Sequence, residues 1–214
     1  MPRPGLSALL VTLIITLLLL GGCTLTSHKP LQVPTTKNAQ SNLQWQNHQA
    51  QMEAFTQWRL VGKIGIRTEH ESNSAHINWQ QQRQQFRINL SGPFGQGAAE
   101  LSGTFESVLL KIAGQEDLQT TNPEAVLLEQ TGWDIPINTL LHWIKGIPSP
   151  DQDASFQLDA QGRLSRLTQA QWQLEYPSYR QLESLWLPKK IQLVRGQVKL
   201  TLVIKDWHYS SDNS

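Results

Sequence analysis

The chain has 214 residues, 18 Lys and Arg against 17 Asp and Glu, and a single cysteine, Cys23. One cysteine rules out an intrachain disulfide, so the fold is not a stapled secreted module. The near-zero charge balance argues against a nucleic-acid binder, which carries a net basic footprint, and against a polybasic membrane-surface protein.

Only Arg3 is charged in the first 22 residues, and Leu6 to Leu20 is almost wholly apolar. A basic start, an apolar core and a small-residue exit form an export signal, predicted here as residues 1–22. The apolar core has 15 residues, short of the roughly 20 that a spanning helix needs. Removing the signal takes away Arg3 and leaves 192 residues with 17 positive and 17 negative side chains. Leu20-Gly21-Gly22-Cys23 resembles a bacterial lipoprotein signal, in which the cysteine becomes the lipidated first residue. Each buried methylene is worth about 0.8 kcal/mol; one acyl chain anchors marginally and two or more hold firmly. By the same resemblance, Thr24 after the cysteine favours delivery to the outer membrane rather than retention at the inner one.

Residues 23–43 read as the lipidated cysteine and a flexible tether, with Pro30, Pro34 and few large apolar residues. Trp45, Met52 and Phe55 then fall at helical spacing and predict a short amphipathic helix over roughly 44–56. Period two follows. Trp58, Leu60, Gly62, Ile64 and Ile66 share one side of a strand, and Arg59, Val61, Lys63, Gly65 and Arg67 the other. Glu69 to Ser74 is a turn, Ala75, Ile77 and Trp79 begin the next strand, and Gln80 to Gln85 is a hairpin end. Phe86, Ile88 and Leu90 resume the alternation. Ser91 to Gly97 is a loop, after which Ala99, Leu101, Gly103, Phe105, Val108, Leu110 and Ile112 return to strand.

The middle of the chain is helical. Asn122-Pro123-Glu124 opens a helix over Ala125 to Gln130, with cap residue, early proline and early acid in order. Pro136 to Lys145 is a second helix, stopped by Gly146-Ile147-Pro148. Strands resume at Phe156 and Leu158, at Leu164 to Thr168, and at Trp172, Leu174 and Tyr176. A last hairpin joins Ile191 to Val194 with Val198 to Ile204, and Trp207 closes the pattern. Residues 44–209 therefore form a single domain, with 210–214 as a tail.

No strand–helix repeat supports a parallel α/β fold. The expected class is mainly β: one antiparallel sheet of about 11 strands with a helical insertion. A sheet that wide must curl or split, which predicts an unclosed barrel with the central helices as a lid. The inward positions are Trp58, Leu60, Ile64, Trp79, Phe86, Ile88, Leu101, Phe105 and Trp172, with Leu140, Leu141 and Ile144 on the helical insertion. Periodicity alone fits a filled core as well as a hollow one; barrels of this size can hold a small apolar ligand. Phe94, between Pro93 and Gly95 in a glycine-rich loop, is either an exposed apolar tip or a ring folded back to cap the barrel end.

Catalytic patterns are missing: there is no Gly-x-Ser-x-Gly elbow, no His-Glu-x-x-His pair and no phosphate-binding glycine loop. The six histidines are scattered, and Asp134 reads as a cap for the Pro136 helix. No cofactor or metal is expected. Arg83, Arg87, Lys189, Lys190 and Lys199 form a basic group that fits either an acidic partner or a solvated face.

The chain resembles the LolB family of outer-membrane lipoproteins over essentially its whole mature length. The resemblance is carried by Cys23, the Trp45 helix, Gly62 to Ile66, Ile77-Asn78-Trp79-Gln80 and Pro93-Phe94-Gly95. It continues through Gly132-Trp133-Asp134-Ile135-Pro136-Ile137, Leu140, Trp143-Ile144 and Gly146-Ile147-Pro148. Gly162-Arg163-Leu164, Trp172, Tyr176, Tyr179, Leu187-Pro188 and Trp207 complete it. The resemblance implies an unclosed barrel with a helical lid and a hydrophobic cavity. It implies that the cavity accepts the acylated N-termini of client lipoproteins from the soluble periplasmic carrier LolA and passes them to outer-membrane lipid. It also implies an apolar residue, usually leucine, protruding from the loop that here carries Phe94. The alternative is a passive acyl-chain-binding lipoprotein or envelope scaffold that takes nothing from a carrier.

Overall fold

A computed structural model describes residues 36–92, 98–104, 106–131 and 136–209. Thr35–Ser214 forms one compact unit. The signal, Cys23, the Pro93-Phe94-Gly95 tip, Phe105 and Asp134 lie outside the described residues.

The chain opens with helix α1 (Thr36–Ala54). Six strands follow: β1 (Gln57–Arg67), β2 (Ser72–Gln82), β3 (Gln85–Ser91), β4 (Ala99–Thr104), β5 (Ser107–Ile112) and β6 (Leu118–Thr120). Helices α2 (Pro123–Thr131) and α3 (Ile137–Trp143) form the insertion. Then come β7 (Ala154–Leu158), β8 (Leu164–Gln169), β9 (Trp172–Leu182), β10 (Leu185–Arg195) and β11 (Val198–Tyr209). All eleven strands belong to one sheet in the order β6-β5-β4-β3-β2-β1-β11-β10-β9-β8-β7, every neighbouring pair antiparallel. β6 and β7 are its two edges. The sheet is unclosed, and α2 and α3 lie in the connection that runs from one edge strand to the other.

Period two places the core on one face. Cross-strand register aligns Leu60, Trp79, Ile88, Leu101, Leu110 and Leu118 in one row over six strands. On the other half, Phe156, Leu167, Leu174, Leu193, Leu200 and Ile66 make a second row. Rows of apolar cross-strand pairs are what fix register, because a one-residue slip would turn every one of them outward.

Several boundaries differ from the sequence reading. Helix α1 begins at Thr36, inside the stretch read as tether, because its first turns carry no apolar periodicity to announce them. Strands β9 and β10 are far longer than predicted and pair with each other as a hairpin. The hairpin runs through Pro177 and Pro188; the pairing shifts register beside Pro188, so the ladder tolerates a missing donor there. Strand β6 has three residues and was not predicted at all. The start of α2 agrees with expectation: Asn122 Oδ1 accepts the Ala125 amide at 3.1 Å, with Pro123 as the first helical residue.

Candidate functional site

One end of the apolar face is sealed by aromatic rings. Trp58 lies 5.6 Å from Trp79 and 5.3 Å from Trp207, ring centre to ring centre, and Phe55 at the exit of α1 covers Trp58 and Trp207. Trp207 Nε1 donates to the Pro188 carbonyl at 2.9 Å, and Trp79 Nε1 donates to Gln81 Oε1 at 3.2 Å. Gln81 is itself buried on this face and donates to the Arg83 carbonyl. The indole edges of Trp79 and Trp207 are thus satisfied while the rings stay dry, whereas the buried Trp58 Nε1 has no hydrogen-bond partner among the described residues.

Toward the opposite end the same face is less covered on the β3 to β5 side, while Ile66, Leu193 and Leu200 at that end are buried. Ile64, Leu90 and Ile112 pack against the core but are only half-buried, as are Val126 of α2 and Leu140 and Leu141 of α3. That end carries Ser91 and Ala99, which flank the connection between β3 and β4. Among the sequence-derived candidates, Trp58, Leu60, Trp79, Phe86, Ile88, Leu101, Ile144 and Trp172 are buried, whereas Ile64, Leu140 and Leu141 are half-exposed. The grooves on the outer face are polar: one of about 540 Å³ is walled by Gln80, Gln82, Gln85, Arg87, Ser102 and Gln119, among others.

The helical insertion is fixed at its C-terminal end. Gln169 accepts Trp143 Nε1 at 2.8 Å and the Ser149 amide at 2.9 Å through Oε1. Its Nε2 donates to the carbonyls of Ser149 and Gln152, both at 2.8 Å. Tyr176 donates to the Trp143 carbonyl at 3.0 Å. After α3 the chain closes as a Schellman turn: Ile147 N–H reaches the His142 carbonyl and Gly146 N–H the Trp143 carbonyl. Gly146 has φ +78°, and a Cβ there would meet the Tyr179 hydroxyl at 3.1 Å.

Helix α1 braces this corner. Trp45 packs on Phe156 with ring centres 5.1 Å apart, His48 meets Tyr179 edge-on at 6.4 Å, and Met52 is fully buried. A Cβ on Gly162 would come within 2.7 Å of Gln44, so only glycine lets the helix lie this close. Lys145 is buried and donates to the Met52 carbonyl at 2.7 Å, near the C-terminus of α1 where carbonyls lack helical partners. Burial lowers the Lys145 pKa to about 8. His48 is brought down to about 4 by burial, with the Arg163 guanidinium adding to the effect. Burial also lowers His142 and raises Tyr176 and Tyr179. Arg163 pairs with Asp159 at 2.6 Å and lies over the rings of Tyr179 and Trp186. These shifted groups belong to packing between α1, α3 and the sheet. Among the described residues, no three His, Cys, Asp or Glu side chains group as metal ligands would.

Sequence reasoning missed Gln169 and Gln81, the polar residues on the apolar face. The signal was present: each shares strand parity with a buried neighbour, Leu167 and Trp79 respectively. Lys145 carried no such signal, because its partner is a backbone carbonyl of a distant helix.

The unclosed antiparallel sheet with one apolar face and a helical connection between its edges is a fold that solved structures share. A LolA superfamily protein from Nitrosomonas europaea shares this fold, with TM-score 0.51 at 9% identity over 79% of this chain and 94% of that one. A putative outer-membrane lipoprotein-sorting protein domain from Vibrio parahaemolyticus does so with TM-score 0.50 at 8% identity, over 80% and 93%. Residues 56–207 match the family described as outer membrane lipoprotein LolB. Outer-membrane lipoprotein LolB of Pseudomonas aeruginosa is 42% identical over 89% of this chain and 91% of its own length. That of Pseudomonas putida is 40% identical over 77% and 80%. The chain belongs to the LolB family. It is a lipid-anchored protein at the periplasmic face of the outer membrane that receives lipoproteins from the carrier LolA, and it is not an enzyme.

Proposed function

We propose that the sheet curls into an open barrel whose apolar face takes up the acyl chains of client lipoproteins, with α2 and α3 as its lid. The reading rests on one observation. The apolar face is continuous across the strands, closed by Trp58, Trp79 and Trp207 at one end, and only half-covered around Ile64, Leu90 and Ile112 at the other. A flat sheet of eleven strands would be roughly 48 Å wide, and curling brings its edges within reach of the helical connection. Trp58, Leu60, Trp79, Phe86, Ile88, Leu101, Phe105 and Trp172 are the proposed floor. Ile64, Leu140, Leu141 and Ile144 are the proposed mouth and lid.

The energetics favour direct passage. A chain of about 16 carbons hides on the order of 12 kcal/mol of methylene transfer, so release into water is too slow to be useful. Docking with LolA mouth to mouth lets the chain slide between apolar surfaces without ATP. Insertion into the outer membrane is downhill, and the lipid on Cys23 keeps the receiver beside its target. The loop tip Pro93-Phe94-Gly95 touches the membrane at release. Phenylalanine keeps the apolar bulk of the family's usual leucine in a stiffer ring.

Incubating a LolA–lipoprotein complex with the soluble mature chain, residues 24–214, tests the reading. Cargo moves to the chain if it is a receiver and stays on the carrier if it is a passive acyl-chain binder.

A further inference from the structure

The outer face of the central strands is basic. On β1, Lys63, Gly65 and Arg67 point away from the apolar rows; on β11, Lys199, Thr201 and Val203 do; on β10, Lys190, Gln192 and Val194. Register makes Arg67 the direct cross-strand partner of Lys199, and Lys63 the partner of Val203, whose other neighbour is Lys190. Four cations therefore occupy a patch roughly 10 Å across the strands and 13 Å along them. None of the four has an ion pair or side-chain hydrogen bond among the described residues. Of the acids near the patch, Glu175 pairs with Arg166, Asp206 with Arg180, and Glu71 accepts from Asn73, while Glu69 lies in the turn after Arg67. Two valines lie exposed within it, Val203 at 43% and Val194 at 37%.

This arrangement works against the fold. Like charges directly opposite on neighbouring strands destabilise a sheet, yet Arg67 faces Lys199 with no acid between them. The mature side chains sum to zero, 17 positive and 17 negative, so the patch is a segregation of charge rather than an excess. The ends of β1 and β11 at Arg67 and Val198 lie at the same end of the sheet as Ser91 and Ala99.

We propose that the outer face bearing Lys63, Arg67, Lys190 and Lys199 is a docking surface for anionic phospholipid headgroups. It holds the lipid-anchored protein against the membrane with the half-covered end of the apolar face turned toward the bilayer. Charge complementarity identifies the occupant, and tethering decides it. The anchor keeps a lipid surface next to the domain at all times, so even a weak patch is occupied through high effective concentration. The proposal needs the outer-membrane location but not acyl-chain uptake.

The soluble mature chain, residues 24–214, is sedimented with vesicles of phosphatidylcholine alone and of phosphatidylcholine with about 30% phosphatidylglycerol, in low salt and in about 0.5 M salt, where the screening length falls to a few ångströms. Each cation near an anionic surface strengthens binding about fivefold. Wild type is expected to bind the anionic vesicles on the order of a hundredfold better than the neutral ones, and to lose that preference in high salt. The variant K63Q/R67Q/K190Q/K199Q loses it in low salt, while R83Q/R87Q keeps it. Equal binding of wild type to both vesicles overturns the proposal, whatever the variants do. Full retention by the quadruple variant also overturns it. Loss of cargo uptake from LolA by that variant, with vesicle binding intact, assigns the patch to the carrier instead. If neither protein accepts cargo, the receiver reading fails and the vesicle result stands by itself.

Discussion

Gln169→Leu is the sharpest test of how the helical insertion is held. The native amide makes four hydrogen bonds, to Trp143 Nε1, to the Ser149 amide, and to the carbonyls of Ser149 and Gln152. Leucine matches its bulk and makes none. Each buried partner left without a hydrogen bond costs about 1–3 kcal/mol. The Gln152 carbonyl is only partly buried and water can reach it. Three full losses with some relaxation give a net destabilisation of about 3–5 kcal/mol. For a domain this size, 1 kcal/mol is worth about 2–4 °C, so Tm should fall by roughly 10 °C or more. Urea unfolding of residues 24–214, followed by tryptophan fluorescence, measures the change. Because Trp143 is a member of the network, its environment reports the lesion directly. A loss below about 1 kcal/mol would show that Gln169 does not hold α3 to the sheet.

Three other outcomes are expected. Gly146→Ala forces a Cβ into the left-handed region, against the Tyr179 hydroxyl and Pro188 Cγ at 3.1 and 3.2 Å, and should cost about 2 kcal/mol in the same assay; an unchanged midpoint would refute the tight fit. His48, with its folded pKa near 4 against 6.5 unfolded, leaves the unfolded chain binding a proton that the native state refuses. Stability is therefore lost as pH falls from about 6.5 toward 4, by at most about 3 kcal/mol. His48→Phe should gain on wild type by that margin between pH 7 and pH 4, and a constant gap would contradict burial as the cause. Phe94→Glu should leave folding and cargo uptake from LolA intact and block delivery into outer-membrane vesicles; normal delivery would remove the loop tip from the mechanism.

Much of this molecule was legible from residue order. The alternation Trp58, Leu60, Ile64, then Ile77 and Trp79, then Phe86 and Ile88 marks three strands and their common face, because burial on one side of a sheet imposes period two. Asn122-Pro123-Glu124 marks a helix start through local chemistry alone. What stayed hidden depends on distant partners. The early turns of α1 are polar Gln and Asn, and the helix is held by Trp45, His48 and Met52 further along. β6 is three residues long and exists because β5 offers it an edge. The full extent of β9 and β10 emerges only from their pairing with each other across Pro177 and Pro188. Tertiary pairing overrode local preference there. The roles of Gln169 and Lys145 emerge only once residues far apart in sequence meet.

The central claim is that the apolar face of the sheet holds the cargo's acyl chain. A lipoprotein carrying a photoactivatable acyl group, loaded on LolA and transferred to residues 24–214, tests it by where the adducts form. They should fall on Ile64, Leu90, Ile112, Leu140 and Leu141 and on neighbouring inward residues of β1 to β5. Adducts on outward residues such as Val194 and Val203, or cargo transfer with none on the inner face, would contradict it.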